Sequence, residues 1–160
     1  MITLATVGII TKIAVAIGLG TIIGIERTLA GKTAGMRTYA MITLGSCLFV
    51  IISETIIPTS SSQLVANPLV IPASVITGIG FIGAGLIIFQ ANKITGLTTA
   101  AGLWVSAGVG IACGFGLFTL AGIAAVAALI VFTLEWFIED IVKKHSYKSN
   151  DVDCQNNQIK

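Results

Sequence analysis

Apolar residues dominate five stretches of this chain, at about 4–25, 40–57, 70–89, 97–113 and 117–138, and polar or helix-breaking residues fall between them. Each stretch comes close to the roughly 20 apolar residues that an α-helix needs to cross a bilayer core of about 30 Å. The punctuation agrees with helix ends. Pro58 follows the second run, Asn67-Pro68 and Pro72 open the third, and Gly114-Phe115-Gly116 breaks the fourth from the fifth. The pattern predicts an all-α fold, a polytopic membrane helical bundle of about five transmembrane helices. One transmembrane domain would cover residues 1–140, and a polar, disordered tail residues 141–160.

Composition strengthens this picture. Of the 160 residues, 55% are hydrophobic and 10% charged, and mean hydropathy is +0.98, whereas soluble domains use about 25% charged residues. Outside the tail, basic residues are not interleaved with aromatics in any stripe, which argues against nucleic-acid binding. Cys47 and Cys113 lie inside apolar runs and Cys154 in the tail, so all three read as structural thiols and not as a disulfide framework. No basic residue precedes the first run, so Ala14-Val15-Ala16 reads as part of a retained helix and not as a cleavage site.

Charge also sets a direction. Arg27, Lys32 and Arg37 fall in the first loop, Lys93 in the third, and Lys143, Lys144, Lys148 and Lys160 in the tail, while the second and fourth loops carry no Lys or Arg. The positive-inside rule then predicts the N-terminus outside and the C-terminus in the cytoplasm. Tyr39, Phe89, Trp136 and Phe137 fall near the inner boundary and Phe115 and Phe118 near the outer one, as aromatic belts do. Trp104 lies about 10 Å into the fourth run, where its indole N–H is expected to find a partner inside the bundle.

The stretch GIGFIGAG, residues 78–85, satisfies the Gly-x-Gly-x-x-Gly pattern of a dinucleotide loop. That loop needs a preceding strand and an acidic residue about 20 positions on. No Asp or Glu occurs between Glu54 and Glu135, so the nucleotide reading fails. In a membrane helix, glycines instead let neighbouring backbones approach. Gly78 and Gly85 share one side of the third helix, and Gly80 and Gly83 the opposite one. This predicts the third helix at the centre of the bundle, with Gly20 and Gly24 on the first helix and Gly110 and Gly114 on the fourth as partner surfaces. A broken, ligand-binding helix is the alternative.

Three motifs, GIERTLAGKTAGMRTYAMITLGSCLF at 24–49, GIGFIGAGLI at 78–87 and GLTTAAGLWVSAGVGIACGFG at 96–116, closely resemble the MgtC/SapB family of bacterial inner-membrane proteins. The resemblance implies a multi-pass protein of the bacterial cell inner (cytoplasmic) membrane, linked to magnesium-limited growth, stress and virulence. It also implies a partner membrane complex such as the F-type ATP synthase, which some members are proposed to restrain. Many members carry a soluble ACT-like domain after the last helix. The polar residues that follow here, EDIVKKHSYKSNDVDCQNNQIK, are too few to bury a core, so a short form lacking that domain is expected.

The family motif maps onto Glu26, Arg27, Gly31, Gly35, Arg37 and Thr38 in the first loop, and onto Gly96, Leu97, Thr98, Thr99 and Trp104 around the start of the fourth helix. Both loops are expected on the cytoplasmic face. One reading is structural: an ion-pair network of Glu26 with the arginines, and Thr98 and Thr99 as a helix cap. The functional reading has Arg27 and Arg37 presenting guanidinium forks to an anionic ligand or a partner's carboxylate.

Lys12 and Glu54 interrupt apolar runs at similar depth, each roughly 20 Å from the inner boundary. Intramembrane charges pair, face water or reach the interface, so the two either pair, share a polar cavity or extend separately to the outer surface. Carboxylates are too scarce for an oxygen-rich magnesium shell, His145 falls in the solvated tail, and no nucleophile stands with a base. No catalytic residue, metal site or cofactor is therefore expected. Two functions follow: a non-enzymatic accessory or regulatory protein that contacts another membrane complex or a second copy of itself, and, alternatively, a small channel or carrier for Mg2+ or H+.

Overall fold

The computed structural model describes residues 2–56, 69–90 and 93–135. Among the described residues, five helices make up the bundle: α1 Ile2–Leu29, α2 Met36–Ile56, α3 Val70–Leu86, α4 Leu97–Gly114 and α5 Phe118–Glu135. In α1, α2, α4 and α5 the apolar stretch is long enough to cross a membrane, and α3, at 17 residues, is shorter. The tail, Trp136 and Phe137, and most of the second loop lie outside the described residues.

Helix ends explain the tight connections. At the end of α1, Gly31 takes φ 66°, the Lys32 N–H bonds the Arg27 carbonyl at 3.0 Å and the Gly31 N–H bonds that of Thr28 at 3.1 Å. This is a Schellman close, which needs a residue tolerant of the left-handed region. The same pair of bonds recurs after α4, where Leu117 reaches back to Ala112 and Gly116, at φ 74°, to Cys113. Thr28 then ties the first turn together: its hydroxyl donates to the Gly24 carbonyl and accepts the otherwise orphaned Met36 N–H, both at 2.9 Å.

The third apolar run does not remain helical to Phe89. Ile87 is extended, and Ile88–Gln90 (β1) pairs antiparallel with Lys93–Thr95 (β2), Phe89 opposite Ile94. Aromatic and β-branched residues suit this short ladder. Gly96 follows at φ 87°, and a Cβ there would meet the Leu86 carbonyl group, so only glycine lets the hairpin fold back under α3.

The centre of the bundle is α2 with α4, not α3. A Cβ on Gly20 would stand 2.9 Å from the Tyr39 carbonyl oxygen, and one on Gly24 2.5 Å from the Met36 Cα, so α1 meets α2 backbone to backbone. On its other side α2 meets α4, where a Cβ on Gly110 would lie 2.9 Å from the Thr43 Cα and one on Gly114 3.0 Å from the Cys47 carbonyl oxygen. Gly78, Gly80 and Gly85 have nothing within 4 Å of the Cβ position, and Gly83 makes an ordinary contact with Ala100. The α3 glycines thus leave most of that helix's surface open. Missing side chains create close packing only where a second helix has arrived.

Candidate functional site

At one end of the bundle, the end of α1, the starts of α2 and α4 and the last described turn of α5 bring together a buried polar cluster. Arg27 is 1% exposed. Its guanidinium carbon lies 3.6 Å from the centroid of the Phe132 ring, and its Nε donates to the carboxylate of Glu26. A desolvated cation over an aromatic face with an adjacent carboxylate is an arrangement arginine supports better than lysine, because the planar guanidinium stacks and forks at once. Tyr39 is fully buried beside it and donates its hydroxyl to the Thr99 carbonyl at 3.4 Å. Gly102 makes room for both rings: a Cβ there would stand 2.7 Å from Phe132 Cζ and 3.2 Å from Tyr39 Cζ.

Other motif residues have different places. Thr99 is buried and Thr98 exposed, and neither caps α4, whose N-cap is Gly96 with no side-chain bond. The Gly96 carbonyl accepts the Ala100 N–H instead. Arg37 and Thr38 are exposed, and Gly35 serves as the first carbonyl of α2 through the Tyr39 N–H. Arg27 is therefore not available to an external anion, whereas Arg37 is. Trp104, at 55% exposure, faces outward and not into the bundle, so the expectation of an internal partner for its indole is overturned.

Lys12 and Glu54 meet near the opposite end, with Nζ 2.8 Å from Oε2 and side chains 23% and 39% exposed. Arg27 lies about 22 Å along α1 from Lys12 at the helical rise. Of the alternatives open in the sequence, pairing is what the geometry contains. Ser106 on α4 is fully buried, and its hydroxyl has no hydrogen-bond partner among the described residues. Among those residues, no group of three His, Cys, Asp or Glu side chains could hold a metal ion.

Sequence reasoning missed Phe132 and placed Tyr39 at an interface. The usable signal was Arg27 itself, since a cation at the end of an apolar helix calls for an aromatic or acidic partner at matching depth. Clefts among the described residues open sideways between helices. One of about 420 Å³ runs between α4 and α5 from Thr98 and Glu135 to Ala124. Another, about 710 Å³, lies between α2 and α3 and is walled by Phe49, Ile79 and Phe81 among other apolar groups.

Comparison with known proteins agrees with the helical reading. The MgtC family profile matches residues 13–141. "Putative magnesium transporter YhiD" of Escherichia coli strain K12 is 43% identical over 125 residues, 77% of this chain and 58% of the relative. Protein SapB of Bacillus subtilis is 37% identical over 83% of this chain and 59% of its own length. Protein MgtC of Salmonella typhimurium is 39% identical over 62% of this chain and 40% of its own. The chain spans less than two thirds of the length of these relatives, and no solved structure matches it. With four apolar helices long enough to cross a bilayer and a family profile over most of its length, the chain belongs to the MgtC family of multi-pass bacterial inner-membrane proteins.

Proposed function

We propose that this protein is a non-enzymatic accessory or regulatory component of the inner membrane, acting at limiting magnesium through lateral helix contacts with another membrane complex. One observation carries the reading: the described intramembrane charges are closed on one another, while recognition-grade surface faces sideways. Lys12 is bonded to Glu54 and Arg27 to Glu26 and Phe132. Phe81 is 84% exposed, and Gly78, Gly80 and Gly85 offer bare backbone on the same helix. Lipid tails have no use for bare glycine, but a partner helix gains close dispersion contact from it.

Photo-crosslinking residues at Phe81 and Trp104, with Val7 on α1 as the control, test this in cells grown at low magnesium. The F-type ATP synthase is the first complex to probe. Adducts to a membrane complex from α3 and α4 but not from α1 support the reading; their absence from both positions, in protein that reaches the membrane, opposes it. Magnesium transport is the second reading. It is favoured by the name that YhiD carries and by Glu54, a partly exposed carboxylate at one end of the bundle.

A further inference from the structure

The cleft between α4 and α5 has small apolar walls, among them Ala101, Val105 and Ala124, and one charged residue in its lining, Glu135. We propose that this trough seats one phospholipid of the phosphatidylethanolamine class, its acyl chain along the walls and its ammonium head group on the Glu135 carboxylate.

Length supports this occupant. From Phe118 to Glu135 the helix rises about 26 Å, close to the hydrocarbon thickness of roughly 30 Å, so these two residues stand near opposite edges. From Ala124 to Glu135 the rise is about 16 Å, the depth of one leaflet. The trough therefore begins near the midplane and ends at head-group level, the profile of a single lipid tail. It opens to the side, so a lipid enters from the bilayer.

Charge selects the head group. Glu135 is exposed and makes no ion pair among the described residues, and Thr98, on the first turn of α4, lines the same trough. An ammonium gives that carboxylate charge-assisted hydrogen bonds. No cation is among the residues that line the trough, and Arg27, behind its wall, is sealed under the Phe132 ring, so the lining offers an anionic head group no such partner. The larger α2–α3 cleft has only Ser46 and Ser74 as polar lining and so no means of choosing a head group.

The test reconstitutes the full chain into an equal mixture of phosphatidylethanolamine and phosphatidylglycerol, extracts it in mild detergent and quantifies the phospholipid that stays bound. The native protein should retain phosphatidylethanolamine enriched roughly two- to fivefold over the bulk, the factor an exposed ion pair supplies. Glu135→Gln should retain lipid at the bulk ratio. Ala127→Leu, a change at an exposed lining position, should retain less lipid per protein. A bulk ratio on the native protein overturns the proposal even if both variants fail to fold. Enrichment that survives Glu135→Gln, or lipid content unchanged in Ala127→Leu, overturns it as well. These lipid ratios are independent of whether a partner complex exists.

Discussion

Alanine at Gly110 tests the claim that α2 and α4 meet backbone to backbone. The new Cβ would lie 2.8 Å from the Ser46 Cβ and 2.9 Å from the Thr43 Cα, and also against the Thr43 carbonyl oxygen. Carbon pairs settle at about 3.5–4.0 Å, so α4 must withdraw by roughly 0.6–1.2 Å. No rotamer relieves the overlap, because the obstructing atoms are backbone and Cβ. Overpacking of this kind costs about 1–3 kcal/mol. Alanine also gains about 1 kcal/mol over glycine in helix propensity, which partly masks the cost. Gly78→Ala removes that ambiguity: its Cβ meets nothing within 4 Å, so it receives the propensity gain alone. The difference between the two variants in reversible unfolding in mixed micelles should therefore be about 1–3 kcal/mol, with Gly110→Ala the weaker protein. Equal stabilities would refute the packing described for α2 and α4.

Three further outcomes follow from named contacts, and a fourth from the distribution of charge along the chain. Glu26→Gln leaves the Arg27 charge buried without its carboxylate and should cost about 3 kcal/mol, and Phe132→Leu should cost about 1–2 kcal/mol through the lost cation–π contact, both read by the same unfolding assay. Lys12→Glu and Glu54→Lys should each reduce the yield of folded protein, and the double exchange should restore it, because the 2.8 Å pair survives inverted. A reporter fused near Gln63 should be active outside and one after Lys160 in the cytoplasm; cytoplasmic activity at Gln63 would overturn the direction expected from the charge pattern.

The helices were legible because their length and apolarity are the property the bilayer demands, and Gly114 to Gly116 marked the final turn plainly. The pairing of Lys12 with Glu54 was legible as one of few alternatives, since a charge at that depth has little else to do. Direction on the helix surface was not. Where lipid and core are equally apolar, a continuous hydrophobic helix has no face that sequence can assign to the interior, so Gly78 and Gly110 look alike in the sequence although one is open and the other tightly packed. For the same reason Trp104 was expected inside and lies outside. The hairpin at Ile88–Gln90 was hidden because its residues continue the apolar run of α3 without a break in composition. Of the polar cluster, the motif supplied Glu26, Arg27 and Thr99, but the ring of Phe132 and the buried place of Tyr39 depend on how α5 and α2 come together, which local spacing does not encode.

Purified protein in sealed liposomes, with magnesium and proton flux recorded beside Glu54→Gln and empty vesicles, tests the accessory reading most directly. That reading predicts flux no greater than in empty vesicles from protein whose folding is verified in the same preparation. Protein-dependent magnesium flux that falls in Glu54→Gln would contradict it and make transport the function.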